Sequence, residues 1–153
     1  MNEPEELSRV YYHSEHTECM TYFMIRGNFD PDEITAYLRV VPEQVQRIGD
    51  PIGKSGRKRQ VALWRYGTVV SNDWDVDKMM KETIRALLPK EDLLRKIKLT
   101  YDAALTLEVV PLVRYDEQPP CLAPSLAVMR FCLETGTEMD IDLYVCCPDD
   151  MVE

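Results

Sequence analysis

The sequence lacks any apolar run approaching the ~18 residues that a membrane-spanning helix needs. Its first ten residues, MNEPEELSRV, also lack the basic start and apolar stretch of a secretion signal. We therefore expect a cytoplasmic protein that does not enter a membrane.

Histidine is scarce, with only 2 in the chain, and the 5 cysteines include no C-x-x-C pair. An odd cysteine count without paired spacing is not a disulfide framework, so we expect reduced thiols. His13, His16 and Cys19 recur every third residue, but a zinc site needs three or four converging ligands. We predict surface histidines, no metal site, no cofactor and no catalytic residue.

A phosphate-binding loop is also absent, although GDPIGKS resembles one. The motif needs four residues between its glycines, whereas Gly49 and Gly53 have three between them. The basic residues that follow predict a mobile, solvated loop at 50–59. They are Lys54, Arg57, Lys58 and Arg59.

What the sequence does have is enough apolar material for a core. It has 153 residues, 45% of them hydrophobic and 29% charged, which is typical of one globular domain. We predict a single domain over 1–153, with loose tails at 1–8 and 147–153.

The formal net charge of -9 argues against a nucleic-acid partner, since nucleic-acid binders are usually basic. The charge is also segregated along the chain. Residues 51–100 carry 12 basic and 6 acidic side chains, whereas residues 101–153 carry 2 basic and 11 acidic ones. This segregation favours either pairing between faces or one acidic face for a basic partner.

Hydrophobic periodicity and capping residues predict strands at 9–13, 19–26, 60–70, 103–113 and 138–145. Helices are predicted after Asp30, after Asp73 or Asp75, at 90–98, and from Ser125 to Gly136. Pro111 suggests an edge strand or a bulge. The first helix should bury Ile34, Tyr37, Leu38 and Val41, and the last should be buried on several sides.

This order contains two strand-helix-strand units joined by a pair of helices. It predicts an α+β sandwich, in which a mainly antiparallel sheet carries helices on one face in a ferredoxin-like manner.

The best-organised polar feature is the acidic pattern of the last strand. Alternation puts Glu138, Asp140 and Asp142 on one face and assigns Met139, Ile141 and Leu143 to the core. Three aligned carboxylates could hold a hard cation, act as a general acid/base pair, or present an acidic stripe to a basic protein. No further residues that could complete a metal or acid/base site opposite this stripe are evident in the sequence, so we favour protein binding.

Two further places complete the predicted partner-binding surface. Trp74 follows the strand at 60–70, and tryptophan is enriched at interfaces. Asp116 and Glu117 lie in the predicted loop 114–124. The candidate partner-binding residues are therefore Glu138, Asp140, Asp142, Asp116, Glu117 and Trp74.

Several segments together resemble a bacterial family catalogued as a domain of unknown function, DUF4279. They are YFMIRGNFDPDEITAYL, VVPEQVQRIGD, LW with Ser71 after the strand, and PSLAVMRFCLETGTEMDIDLYV. The resemblance spans roughly residues 20–145, and the basic insert at 54–59 and the ending CCPDDMVE depart from it. The family implies no activity and no site residues.

We therefore carry three hypotheses. The first is a non-enzymatic immunity or antitoxin-like protein that neutralises a basic toxin through an acidic surface, by analogy with other small acidic bacterial proteins. The second is a small-ligand or regulatory module with a pocket between sheet and helices. The third is a metal-dependent enzyme using Glu138, Asp140 and Asp142. The sequence does not determine the oligomeric state, and a dimer is one possibility.

Overall fold

The computed structural model describes residues 15–146, in which six strands and four helices are present. The strands are β1 Glu18–Gly27, β2 Gln44–Gln46, β3 Ala62–Ser71, β4 Ala104–Arg114, β5 Glu138–Ile141 and β6 Tyr144–Cys146. The helices are α1 Pro31–Leu38, α2 Val76–Ile84, α3 Glu91–Tyr101 and α4 Leu126–Thr135, with a 3₁₀ turn at Leu88–Lys90. The predicted strand at 9–13, His13 and both predicted tails lie outside the described residues. No helix in this described part is long and apolar enough to cross a membrane.

The strands form one mixed sheet in the order β2-β3-β1-β4-β5, and β6 also pairs with β4. The pairings β2–β3, β3–β1 and β1–β4 are antiparallel, whereas β5 and β6 run parallel to β4. The predicted α+β class with a mainly antiparallel sheet is therefore confirmed.

Alternation along β1 divides the sheet into two faces. Thr21, Phe23 and Ile25 are fully buried, whereas Tyr22 and Met24 between them are only partly buried. Phe23 packs edge-to-face on Phe131 of α4, at 6.2 Å between ring centroids. We call the side with Thr21 and Phe23 the helical face and the opposite side the open face.

The helices all lie on the helical face. Trp64 of β3 donates its indole N–H to Thr35 of α1 at 3.1 Å, and Thr21 hydrogen-bonds Thr83 of α2 at 2.8 Å. Helix α3 packs against α1 and α4. The prediction that helices cover one face is confirmed.

Helix α1 begins after Asp30 as predicted and ends at Leu38. Asp30 caps its first turn by accepting from the Asp32 N–H at 3.0 Å. The helix stops at Leu38 because Arg39 takes a left-handed conformation with φ 53°. The predicted burial of Tyr37 and Val41 is wrong, since both side chains are exposed.

Helix α4 also has its predicted ends, with Ser125 accepting from the Val128 N–H and Gly136 closing the helix at φ 68°. The expectation that it is buried on several sides is wrong. Only Val128, Phe131 and Thr135 are buried, while Leu126 and Leu133 are about four-fifths exposed. Apolar residues are often exposed on protein surfaces, so the apolar composition of α4 does not by itself predict burial on several sides.

The last predicted strand, 138–145, is interrupted. β5 ends at Ile141 and β6 starts at Tyr144, so residues 142 and 143 lie opposite Val110 and Pro111 of β4. Pro111 has no backbone N–H and so cannot donate a hydrogen bond to a neighbouring strand. β4 is nevertheless a central strand, so the edge-strand interpretation of Pro111 is wrong. Ile141 and Leu143, assigned to the core, are about half exposed.

The predicted loop at 50–59 is closed by backbone hydrogen bonds. Gly49 donates to Arg59 at 2.9 Å, Arg59 to Asp50 at 2.9 Å, and Ile52 to Arg57 at 2.9 Å. The basic side chains therefore project from a hairpin-like turn. Its mobility stays a prediction.

A bulge in β3 fixes helix α2 to the sheet. Gly67 and Thr68 together face the single residue Tyr22, because the β1–β3 register shifts at this point. The Thr83 hydroxyl bonds both the Gly67 carbonyl oxygen, at 2.7 Å, and the Thr21 hydroxyl. Gly67 has φ 74°, and an added Cβ would lie 2.7 Å from the Thr83 carbonyl oxygen.

We predict that Gly67→Ala destabilises the fold by about 3 kcal/mol or more, combining left-handed strain with a backbone clash. Gly56→Ala is the matched control, because Gly56 has φ 71° but no atom within 4 Å of the added Cβ. It should cost only about 1–2 kcal/mol. Urea denaturation of both variants measures the difference, and equal losses would show that α2 does not constrain Gly67.

Candidate functional site

The three carboxylates of the predicted acidic stripe lie at the β5 side of the sheet. Glu138 pairs with Thr106 and Asp140 with Glu108 in the parallel β4–β5 register. Paired residues of neighbouring strands point to the same side, so Glu138 and Asp140 belong to the open face. Asp142 lies just past β5, where its N–H donates to the Val109 carbonyl oxygen at 2.9 Å and its carboxylate accepts from the Tyr144 hydroxyl at 2.6 Å.

A fourth carboxylate, Glu108, lies among them and was not predicted from the sequence. It faces Tyr22 of β1 on one side and Asp140 of β5 on the other. Only 8% of its surface is exposed, which makes it the one buried charged residue among those described. We call Glu108, Glu138, Asp140 and Asp142 the carboxylate patch.

The electrostatics of Glu108 are unfavourable for its charged form. Burial raises the pKa of Glu108, and the like charges of Asp140 and Asp142 raise it further. Arg26 and Arg65 act in the opposite direction without overcoming these effects. Within residues 15–146, no hydrogen bond or salt bridge involves the Glu108 carboxylate.

Arg65 does not neutralise Glu108 because its guanidinium group is already engaged. Its Cζ lies 3.8 Å from the centroid of the Tyr22 ring. Its Nε and Nη2 donate to the Thr68 hydroxyl across the bulge, at 3.3 and 3.1 Å. Burial also raises the pKa of the Tyr22 hydroxyl, and Glu108 raises it further.

The exposed members of the patch are likewise free of cations. Among the described residues, no Lys or Arg forms a salt bridge with Glu138, Asp140 or Asp142. Several carboxylates elsewhere in the molecule are paired, as Asp30 and Asp32 are with Arg47 and Asp77 is with Lys81. The patch is therefore a local excess of negative charge.

The other predicted partner-binding residues lie in a different place. Trp74 and Glu117 line a groove of about 360 Å³ beyond the end of β4. The remaining lining residues are His16, Thr17, Glu18, Asn72, Asp73, Gln118 and Pro120. Glu117 accepts from the Thr17 N–H at 2.6 Å, and this bond, together with His16, lowers the pKa of Glu117.

Asp116 does not line this groove, and it forms a salt bridge with Arg114 at 2.6 Å. The patch lies beside positions 106–110 of β4, at least four residues before Arg114. At ~3.4 Å per residue, roughly 14 Å of strand separates the patch from Arg114. The six predicted residues therefore divide between two separate surfaces.

No metal site is evident in the part of the chain that the structure describes, and two of its thiols are chemically quiet. No three His, Cys, Asp or Glu side chains there are grouped so that they could hold a metal ion. Burial raises the pKa of Cys19 to about 11 and also raises that of Cys132. Both thiols therefore stay protonated near neutral pH and are poor nucleophiles.

The profile of one family, described as a domain of unknown function (DUF4279), matches residues 17–146. The chain belongs to this family, and the matched region includes both the carboxylate patch and the groove. No curated protein and no solved structure is significantly similar to the chain.

We predict that Glu108→Gln stabilises the protein near pH 7. Because the pKa of Glu108 is raised by folding, its protonated form favours the folded state at a pH below the ordinary pKa of 4.5. This contribution to stability is lost as the pH rises through the raised pKa. Removing the charge should therefore raise the urea midpoint near pH 7 and leave it unchanged below pH 4.5. Exposed Glu138→Gln is the control and should change little at either pH. A Glu108→Gln variant less stable than wild type near pH 7 would contradict this electrostatic account.

Proposed function

We propose that the protein is a non-enzymatic inhibitory binding protein of the immunity or antitoxin kind. It neutralises a basic toxin in the cytoplasm by direct binding through the carboxylate patch. The observation that carries the proposal is the set of four carboxylates on the open face, none of which has a cationic partner among the described residues.

Two physical effects favour such binding. A concentrated negative surface attracts a basic protein and speeds its association, in keeping with the net charge of -9. An incoming cation also relieves the repulsion between Glu108, Asp140 and Asp142 that raises the pKa of Glu108. Inhibition follows because a toxin surface covered by this sheet can no longer reach its own target.

A second candidate is a small-ligand module, and the groove beside Trp74 favours it. Its volume of about 360 Å³ falls within the range of small-molecule sites, ~300–1,000 Å³. The location first expected for such a pocket, between sheet and helices, is less suitable. The cavity bounded by Val76, Met80, Val109 and Met139 there has about 10 Å³, which holds at most one water.

The test is co-expression with each protein encoded beside this one in its own genome. We expect one neighbour to be basic, toxic when expressed alone and harmless in the presence of this protein. The patch variant Glu138→Lys, Asp140→Lys, Asp142→Lys should abolish protection and weaken binding at least about 100-fold.

A matched variant reverses the groove carboxylates Asp73 and Glu117 together with the neighbouring Asp116: Asp73→Lys, Asp116→Lys and Glu117→Lys. It changes the net charge by the same amount, so a general charge effect would weaken both variants equally. We expect it to protect nearly as well as wild type once circular dichroism has shown that it is folded. Full protection by the patch variant would refute binding through the patch, and loss of protection only in the groove variant would move the interface to the groove.

A further inference from the structure

We propose that Glu108, Asp140 and Asp142 form a receptor for one guanidinium group, supplied by an arginine side chain of the protein partner. This inference rests on the proposed function, because it names the group that the carboxylate patch takes from that partner. It adds a specific position, Glu108, to a surface otherwise described only by its charge.

The first argument is geometric. Glu108 lies on the interior strand β4, with Asp140 directly beside it on β5 and Tyr22 directly beside it on β1. Neighbouring strands are ~4.8 Å apart, so carboxylates on two of them can converge on a single cation. Glu108 is more than nine-tenths buried, whereas Asp140 and Asp142 are exposed, so a bound cation would have Glu108 beneath it and the aspartates at its rim.

The second argument is the missing partner. Glu108 has no ion-pair or hydrogen-bond partner among the described residues, and no buried side-chain oxygen there is left unsatisfied, so its carboxylate oxygens reach the surface of the open face, where an external cation can meet them. The groups facing it are Tyr22, Asp140, Asp142, Arg26 and Arg65. Arg65 is held by Thr68 and Tyr22, and neither Arg65 nor Arg26 forms a salt bridge with Glu108 within residues 15–146. The Glu108 carboxylate therefore keeps its capacity to pair with an external cation.

The third argument concerns the shape of the cation. A guanidinium group is planar, presents several N–H donors and bonds carboxylates in a bidentate manner, whereas an ammonium group is a compact, strongly hydrated charge. Two carboxylates on adjacent strands beside an aromatic ring suit the planar group better. The Arg65 guanidinium, 3.8 Å from the Tyr22 ring centroid, shows that this surface already accommodates one.

The direct test is an NMR titration of the full chain with three capped tripeptides that have Arg, Lys or Gln between two glycines. We expect saturable shifts at Glu108 and Tyr22 with the Arg peptide, weaker ones with Lys and none with Gln. Glu108→Gln should weaken Arg-peptide binding about tenfold or more, because a charge-assisted hydrogen bond is lost.

Glu91→Gln is the matched control, since it removes the same charge from helix α3, outside the carboxylate patch. It should weaken Arg-peptide binding less than about twofold. No saturable shift at Glu108, or equal losses in the two variants, would overturn the receptor.

The inference and the proposed function can fail separately. If the patch reversal abolishes protection from the toxin but Glu108→Gln binds the toxin as wild type does, the receptor is wrong and the proposed function survives. If the Arg peptide binds at Glu108 but every patch variant still protects fully against the toxin, the receptor stands and the proposed function is wrong.

Discussion

The hydroxyl group of Thr83 joins helix α2 to the bulge of β3 by bonding both Gly67 and Thr21. This contact holds α2 on the helical face, and a side chain at Gly67 would separate the two elements. The same bulge sets Gly67 and Thr68 opposite Tyr22 and lets Arg65 bond Thr68 across it. One local distortion of the sheet therefore serves packing on one face and the arrangement of charged groups on the other.

The open face is distinctive because its charges are not balanced. Arg65 is committed to Tyr22 and Thr68, while Glu108 remains buried beside two further acids. A largely buried carboxylate beside two like charges costs folding free energy, and natural proteins retain such features most often where function uses them. Binding a cation would recover that free energy, which is why we locate partner recognition at the patch.

Much of the fold could be predicted from local chemistry. Asp30, Asp75 and Ser125 cap their helices as their positions indicate, and Gly136 ends α4 as expected. Other features depended on tertiary context. β4 buries both of its faces around Glu108, so its apolar run did not reveal which side the charge occupies. The shared face of Glu138 and Asp140 was predictable from alternation. Their position beside Glu108 was not, because it depends on β5 pairing with β4. A single acid within an otherwise apolar strand is the one signal of Glu108 in the sequence.

The most direct measurement of this account is the apparent pKa of the Glu108 carboxyl group, followed by carbon-13 NMR of the free protein. We expect its midpoint to lie above the ordinary value of 4.5, and to fall toward that value in an Asp140→Asn, Asp142→Asn double variant. A midpoint at or below 4.5 that is unchanged in the double variant would mean that a cation within the molecule already neutralises Glu108. That result would contradict the claim that the patch binds a cation of a partner.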